Sequence, residues 1–251
     1  MDKNLYIIAA AGGNITAIQV LAVPKTKAEY ENLGRDLINN NQAQQVEQAG
    51  FLIVSDNHFE MSGGEFCGTA ARAVAILFAQ IKKQHQVEFT MSGFPGLVQG
   101  QVKDLGQNKF FVQCRFPNMP LKIKALSLNQ PATLVDLGGI VHVVMETEFP
   151  SKSYESEHRQ VVKTLGLENR EAVGVIWTSR VGSEVKIDPV VWVKGVDSFF
   201  YESSCGSGSI AAARVLSASR IIQPTGQMIE VLIESNDVIL KSEMEVKDAG
   251  N

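Results

Sequence analysis

Hydrophobic and polar positions follow a similar order in the two halves of the chain. Each half contains a mostly apolar segment of small and aliphatic residues, AARAVAILFAQ at 70–80 and SIAAARVLSAS at 209–219. These residue types favour helix, and a helix without a polar face is usually buried on all sides. A Pro/Gly turn and two strand-like runs follow each segment, LVQGQV and KFFVQCRF in the first half, and MIEVLI and DVILKSEMEV in the second. The pattern predicts an internal repeat of strands, one buried helix and further strands.

Two more helices follow from the same patterning. Segments 27–39 and 153–165 are amphipathic, each with one solvated face. The proline-flanked segment 118–131 lies between the two repeats and is the predicted crossover. The predicted fold class is therefore α+β, with two pseudo-symmetric lobes and a cleft between them.

The repeat also predicts where the chain divides. Residues 1–118, with a returning C-terminal strand at about 241–251, are expected to form the N-terminal lobe. Residues 119–240 are expected to form the C-terminal lobe. Each lobe then contains one of the two buried helices, and the residues just before these helices face the cleft.

Composition and charge exclude several classes of protein. The 251 residues are 45% hydrophobic and 20% charged, which excludes disorder as a global description. The net charge is −4 at pH 7 without a block of like charges, so neither a nucleic-acid surface nor a polybasic membrane patch is expected. Three cysteines in a chain of this length are typical of a reducing compartment, which predicts a cytoplasmic location.

The uncharged segment 4–24 is long enough to suggest a membrane span. Gly12-Gly13-Asn14 interrupts it, and residues 1–3 carry no net positive charge, so we expect neither a membrane helix nor a signal peptide. The sequence instead predicts two strands around a Gly-Gly-Asn turn. Asn14 is either a turn residue or a substrate contact.

A Cys-Gly motif precedes the buried helix in each half, as Cys67-Gly68-Thr69-Ala70 and as Cys205-Gly206-Ser207-Gly208. A cysteine at a helix N-terminus faces free N–H groups and the positive end of the dipole. This position is expected to lower the thiol pKa and to make thiolate available near neutral pH. The small residues that follow leave backbone N–H groups uncovered, which predicts a carboxylate site between the helix ends.

Two thiols on opposite faces of an amino acid suit racemisation, because one thiolate removes the α-proton while the opposite thiol returns a proton. A single cysteine at a helix start is more often a small buried hydrophobe, and a disulfide between the pair is disfavoured in a reducing compartment. The matching positions in an internal repeat favour catalysis. No metal site is predicted, because no Cys-x-x-Cys occurs and the four histidines show no ligand spacing. Cys114 alternates within a strand and is expected to pack in the core.

These motifs resemble the diaminopimelate epimerase-like superfamily of cofactor-independent amino-acid racemases. The resemblance covers nearly the whole chain and includes Gly12-Gly13-Asn14, Glu47-Gln48, Glu65-Phe66-Cys67-Gly68, Gly139 with His142, and Cys205-Gly206-Ser207-Gly208. It implies two lobes, each a mostly antiparallel sheet or barrel around a central helix. It also implies a homodimer that needs neither pyridoxal phosphate nor metal. In the implied site, Cys67 and Cys205 are the acid/base pair, and the substrate carboxylate is bound by N–H groups of Gly68, Thr69, Gly206 and Ser207.

The sequence departs from the diaminopimelate epimerases where those enzymes hold a second substrate carboxylate. The Arg expected shortly before the second cysteine is absent from Phe199-Phe200-Tyr201-Glu202. Ile140 and Thr69 replace Asn residues of the family pattern. Such a pocket cannot compensate a second buried carboxylate, so diaminopimelate is not the expected substrate.

Acidic residues occur near the predicted cleft instead. The segments around Glu47, Glu65 and Glu202 resemble the histidine racemase branch of the superfamily. We expect Asn14, Glu47, Gln48 and Glu202 to contact the substrate. Arg72, five residues after the first cysteine of the pair, is expected to pair with a structural carboxylate.

The sequence therefore predicts a cofactor-independent racemase that interconverts L- and D-histidine. One alternative is another racemase or epimerase of the same fold, acting on proline, hydroxyproline or diaminopimelate. Two others are a non-catalytic amino-acid-binding protein and a thiol-redox protein.

Overall fold

A computed structural model of the chain describes residues 4–128 and 130–249. The predictions for residues 1–3, for residue 129 within the crossover and for the last two residues of the strand at 241–251 lie outside this range. The described residues form four α-helices, sixteen strands and a short 3-10 helix (Gln42–Gln44). The helices are α1 (Lys27–Asn40), α2 (Gly68–Lys82), α3 (Tyr154–Thr164) and α4 (Gly206–Leu216). The strands of the first half are β1 (Leu5–Ala10), β2 (Gly13–Leu21), β3 (Val46–Ile53), β4 (His58–Met61), β5 (Gln86–Met91), β6 (Phe94–Gly106) and β7 (Lys109–Phe116). Those of the second half are β8 (Lys122–Ser127), β9 (Pro131–Asp136), β10 (Val141–Met145), β11 (Ala172–Val181), β12 (Glu184–Val193), β13 (Ser198–Tyr201), β14 (Arg220–Ile222), β15 (Met228–Glu234) and β16 (Asp237–Ala249).

The strands of the first half close into a barrel with the help of the last strand. Strands β1 to β7 pair in chain order, β7 pairs with β16, and β16 pairs back with β1. The second half continues from β16 through β15, β14, β12, β11, β10 and β9 to β8, and β13 pairs with β12. Most pairs are antiparallel, as predicted. The predicted fold class, with two lobes of mostly antiparallel sheet, is confirmed.

The repeat is visible in the order of the elements. In each half an amphipathic helix connects two parallel neighbouring strands: α1 connects β2 to β3, and α3 connects β10 to β11. The buried helix of each half also lies in the chain between two parallel neighbouring strands: α2 lies between β4 and β5, and α4 lies between β12 and β14. Because β16 pairs with strands of both halves, it joins the two sheets. The lobe boundary at residue 118 stays a prediction.

The two buried helices begin in the same way. Cys67 and Cys205 are their N-cap residues, with φ and ψ of −130° and 107° and of −128° and 109°. Each thiol sulfur accepts a hydrogen bond from the backbone N–H three residues later, at Ala70 and Gly208. The helices carry few polar side chains, so the surrounding strands bury them on all sides. The predicted buried helices are confirmed.

The amphipathic helices α1 and α3 also lie where predicted, within one residue at each end. Thr26 and Glu29 form a capping box that fixes the start of α1. Over the part of the chain that the structure describes, no helix is long and apolar enough to cross a membrane.

Candidate active site

The two buried helices meet end to end at their N-termini. The backbone N–H of Gly206 donates a hydrogen bond to Thr69 Oγ1 at 3.1 Å. A Cβ atom placed on Gly206 would lie 2.8 Å from Gly68 C and 2.8 Å from Thr69 N. Real side chains do not approach backbone atoms so closely. Glycine at position 206 is therefore what allows the positive ends of the two helix dipoles to meet.

Each cysteine of the pair has its own hydrogen-bond partner. The Cys67 thiol donates to Gln48 Oε1 at 3.1 Å. The Cys205 thiol lies 3.7 Å from Ser207 Oγ, and the carboxylate of Glu202 acts on its charge. Cys67 lines a cavity and Cys205, 1% exposed, lies behind it. Both partners are neutral, an amide for Cys67 and a hydroxyl for Cys205.

The thiol pKa values are not low in this arrangement. Burial raises the pKa of Cys67 to about 12 and that of Cys205 well above its usual value. The Glu202 carboxylate adds to both upward shifts, because a second negative charge beside it is unfavourable. Backbone N–H groups at the helix starts act in the opposite direction, but less strongly. The expectation of a thiolate near neutral pH is therefore wrong here, because desolvation outweighs the helix ends.

A small cavity lies beside the helix ends. It encloses about 20 Å³, roughly the room that one water needs. Aliphatic and aromatic groups of both halves line it together with several polar side chains. They are Ile38, Glu47, Gln48, Ser62, Glu65, Phe66, Cys67, Ile140, Val191, Val193, Val196, Ser198, Phe200, Glu202 and Ser207.

Three carboxylates converge on this cavity. Burial raises the pKa of Glu47, that of Glu65 to about 7 and that of Glu202 to about 8. The charges also oppose one another, because Glu47 and Glu65 both raise the pKa of Glu202. Oε2 of Glu47 and Oε2 of Glu65 are buried without a hydrogen-bond partner in the described residues. The cavity is thus prepared to accept hydrogen-bond donors or a cation.

Asn14 and Glu47 join the first half to the loop before the second cysteine motif. The backbone N–H of Asn14 donates to Ser203 Oγ at 2.6 Å, and its side-chain amide donates to Ser204 O at 2.5 Å. Ser203 Oγ in turn donates to Glu47 Oε1 at 2.5 Å. Asn14 has φ +42° and is completely buried, so it combines a turn conformation with a contact between the halves.

The structure brings most of the predicted site residues to one place. Glu47, Gln48, Cys67, Glu202 and Ser207 line the cavity. Cys205 and the backbone of Gly68, Thr69 and Gly206 form the junction behind it. Asn14 is not among the residues that line the cavity, and it contacts Ser203 and Ser204 instead. Their roles toward a substrate stay predictions.

Sequence reasoning missed several residues of the site. Ser203 connects Asn14 to Glu47, and Gln223 accepts a hydrogen bond from the Cys205 N–H at 2.8 Å. Neither residue has a sequence signal beyond lying near a motif. Arg72 was expected to pair with a carboxylate, which is wrong, because its guanidinium donates to Gly68 O, Ser242 Oγ and Thr69 Oγ1 instead.

Other candidate residues lie outside the cavity. Cys114 is buried in the hydrophobic core that surrounds α2, as predicted. His142 is fully buried, and neither ring nitrogen has a partner among the described residues. Burial lowers the pKa of His142 to about 3, so the ring is neutral. Across residues 4–128 and 130–249, no group of three or more His, Cys, Asp or Glu could hold a metal ion.

The overall architecture matches solved structures of low sequence identity. A predicted epimerase from Pseudomonas aeruginosa superposes with a TM-score of 0.66 at 10% identity, covering 98% of both chains. A putative phenazine biosynthesis PhzC/PhzF protein from Clostridium difficile superposes with a TM-score of 0.57 at 14% identity, again over 98% of both chains. These two matches show that the chain shares the fold of those proteins.

Comparison with sequence relatives assigns the chain to a particular family. Residues 9–247 match the family described as "Histidine racemase CntK N-terminal domain", and the chain belongs to this family. A histidine racemase of Fusobacterium nucleatum is 32% identical over 214 residues, which are 80% of this chain and 78% of the relative. A histidine racemase of Staphylococcus aureus is 25% identical over 78% of this chain and 74% of the relative.

Proposed function

We propose that this chain is an isomerase that interconverts L- and D-histidine, using Cys67 and Cys205 as a two-base pair and neither pyridoxal phosphate nor metal. One observation carries the proposal. Two N-cap cysteines lie at helix N-termini that touch, beside a cavity with three carboxylates. Membership of the histidine racemase family supports the choice of substrate.

The helix ends provide a site for the α-carboxylate of the substrate. The N–H groups of Gly68 and Ser207 donate to no acceptor in the part of the chain that the structure describes. Both belong to the first turn, where the helix itself offers no acceptor. A carboxylate placed between them gains two hydrogen bonds and the field of two dipoles. The same donors stabilise the enolate-like charge that develops on this group when the α-proton leaves.

The two thiols then replace the α-proton of the substrate with a proton on the opposite face of the α-carbon. The thiolate of one cysteine takes the α-proton and becomes a thiol. The thiol of the other cysteine gives its proton to the opposite face of the same carbon and becomes a thiolate. The reverse reaction exchanges the two roles. No bond forms between sulfur and carbon, and no oxidant or cofactor is consumed.

The side-chain pocket favours an imidazole. Histidine presents a flat ring with an N–H donor, and the ring can pack on aliphatic groups such as Val191 and Ile140. Glu47 and Glu65 each offer a carboxylate oxygen without a partner in the described residues. A substrate with an acidic side chain would meet repulsion from the same groups. The cavity therefore selects against diaminopimelate, aspartate and glutamate.

The cavity must widen before histidine binds, because about 20 Å³ does not hold an amino acid. Polar contacts join the halves near this cavity, such as those of Ser203 with Asn14 and Glu47. We propose that they separate when substrate binds or leaves. The chain is further proposed to act in the cytoplasm as a homodimer, without nucleic-acid or membrane partners.

A chiral assay over all proteinogenic L-amino acids and diaminopimelate, without added cofactor and in the presence of a chelator, tests the proposal. The expected result is D-histidine as the main product, with slower action on other polar or basic amino acids. Hydroxylamine, which traps pyridoxal phosphate, should leave the rate unchanged. Faster turnover of diaminopimelate than of histidine would contradict the proposed side-chain pocket.

A further inference from the structure

Arg72 is a buried cation without a carboxylate partner. Its side chain is completely buried in the second turn of α2. The guanidinium donates to Gly68 O at 3.2 Å, to Ser242 Oγ at 2.8 Å and to Thr69 Oγ1 at 3.4 Å, all of which are neutral acceptors. Among the described residues Arg72 takes part in no salt bridge. A buried charge without a counter-charge is strongly unfavourable, so its presence needs a physical reason.

The guanidinium lies directly behind the junction of the two helix ends. Arg72 Nη2 is 3.1 Å from the point where a Cβ on Gly206 would be. Thr69 Oγ1 accepts hydrogen bonds from both Arg72 Nη2 and the Gly206 N–H. The cation is therefore in contact with the first residue of each buried helix, next to both N-cap cysteines.

The repeat supplies only one such cation. The residue five positions after Cys205 is Ile210, which is fully buried in the hydrophobic core. The two helix starts are thus alike in backbone and in thiol, but only the start of α2 carries a charged side chain, at Arg72. One guanidinium at the junction serves both halves.

We propose that Arg72 is a positioning residue that supplies the fixed positive charge needed to form a thiolate at Cys67 or Cys205. This inference rests on the proposed function, in which one thiol of the pair must ionise. A thiolate and the substrate carboxylate are the counter-charges that the buried guanidinium lacks in the described structure. The cation acts through the helix ends and does not itself touch the reacting carbon.

The electrostatic surroundings agree with this role. Thiolates at Cys114, Cys67 and Cys205 would each raise the pKa of the guanidinium, that of Cys114 most strongly. By reciprocity Arg72 favours each thiolate. Burial lowers the pKa of Arg72 to about 10, which still leaves it charged at neutral pH. The opposing charges that act on Cys67 are those of Glu202 and Glu65. The cation at the junction acts in the direction opposite to desolvation and to these carboxylates.

The pH dependence of thiol reactivity without substrate tests the proposal. Wild type, Arg72→Gln, Arg72→Met and Arg72→Lys are alkylated with iodoacetamide from pH 6 to 11, and the Cys67 peptide is quantified by mass spectrometry. We expect the neutral variants to shift the profile to higher pH by about 1–2 units, a ten- to hundredfold slower reaction at a given pH. Arg72→Lys should restore most of the wild-type profile, because the charge remains.

Two controls separate charge from structure. Ser242→Ala removes a neutral acceptor of Arg72 and should leave the alkylation profile in place, even if it lowers stability. Arg214→Gln removes an exposed charge at the far end of α4 and should change neither. Arg72→Gln keeps hydrogen-bond donors and is the variant to use if Arg72→Met does not fold.

The outcomes distinguish this inference from the proposed function. An unshifted profile in folded Arg72→Gln or Arg72→Met overturns the role of Arg72, whatever the racemase activity. An equal shift in Ser242→Ala would show that Arg72 acts only as a structural brace. A shifted profile together with no racemisation by wild type would preserve the role of Arg72 and refute the enzyme assignment.

Discussion

The contact between the two helix ends predicts that Gly206→Ala separates catalysis from folding. A Cβ at this position would meet two backbone atoms of the other helix start at 2.8 Å, and ordinary van der Waals contact begins near 3.4 Å. The helices must therefore separate by about 0.6 Å. Neither backbone atom can turn away as a side chain would, so the junction itself has to open.

Opposing terms set the effect on stability. Crowding of this kind costs about 1–3 kcal/mol. Replacing glycine by alanine within a helix returns roughly 0.5–1 kcal/mol. The net loss in the free energy of unfolding should therefore lie between about 0 and 2.5 kcal/mol. The effect on turnover should be larger, because a misplacement of about 1 Å at a reacting centre costs on the order of 10²-fold in rate.

Two measurements on purified protein test this prediction. Chiral chromatography gives kcat/KM for L-histidine, and urea unfolding gives the loss of stability. Gly226→Ala is the matched control: its φ of +81° makes alanine strained, but no atom within 4 Å would meet the new Cβ. It should lose stability and keep its activity. Full activity in Gly206→Ala would refute the idea that close contact of the helix ends is needed.

Further predictions concern the carboxylates and the contacts that join the halves. Glu47→Gln should lower kcat/KM for histidine about 10- to 100-fold, because a hydrogen bond to a charged group contributes about 1.5–3 kcal/mol. The control Glu168→Gln changes an exposed carboxylate and should leave kcat/KM unchanged. An equal loss in both variants would count against a contact between Glu47 and the substrate. Ser203→Ala removes the hydroxyl that bridges Asn14 and Glu47. It should raise KM for histidine and lower the free energy of unfolding, measured in urea, by about 1 kcal/mol. No change in either quantity would show that the bridge is dispensable. The raised pKa of Glu65, about 7, means that the folded protein binds a proton that the unfolded chain releases near pH 4.5. This contribution to stability is complete below pH 4.5 and is lost as pH rises through 7. The urea midpoint should therefore fall from pH 5 to pH 8, less steeply in Glu65→Gln, and a parallel fall in both proteins would assign the effect to other groups.

The order of elements and the cysteine pair could be predicted from sequence because both repeat. Two apolar segments, each opened by Cys-Gly, identify the buried helices, their N-caps and their equivalence. The sequence analysis expects a C-terminal strand at about 241–251 to return to the N-terminal lobe, but the register by which β16 closes the first barrel could not be predicted in the same way. It depends on pairing between residues near position 110 and residues near position 244, and nothing local to either strand specifies that partner.

The electrostatics of the site could not be derived from motifs. A helix N-terminus lowers a thiol pKa, but the size of the opposing desolvation depends on how completely Cys67 and Cys205 are buried. That burial is a property of the assembled lobes. The partners of Arg72 likewise depend on the assembled structure. A buried arginine usually has a carboxylate partner, so the sequence predicts one. The neutral acceptors of Arg72 come from the chain around the helix start and from a strand 170 residues away.

The most direct test of the two-base mechanism is racemisation of L-histidine in D₂O by wild type, Cys67→Ser and Cys205→Ser. Wild type should give D-histidine that carries deuterium at Cα in every product molecule, because the proton added comes from the opposite thiol. Each serine variant should keep its fold by circular dichroism and lose racemisation, while slow exchange of the α-proton from the remaining face can persist. Wild-type-like racemisation in either variant, or D-histidine that retains the original α-proton, would contradict the mechanism.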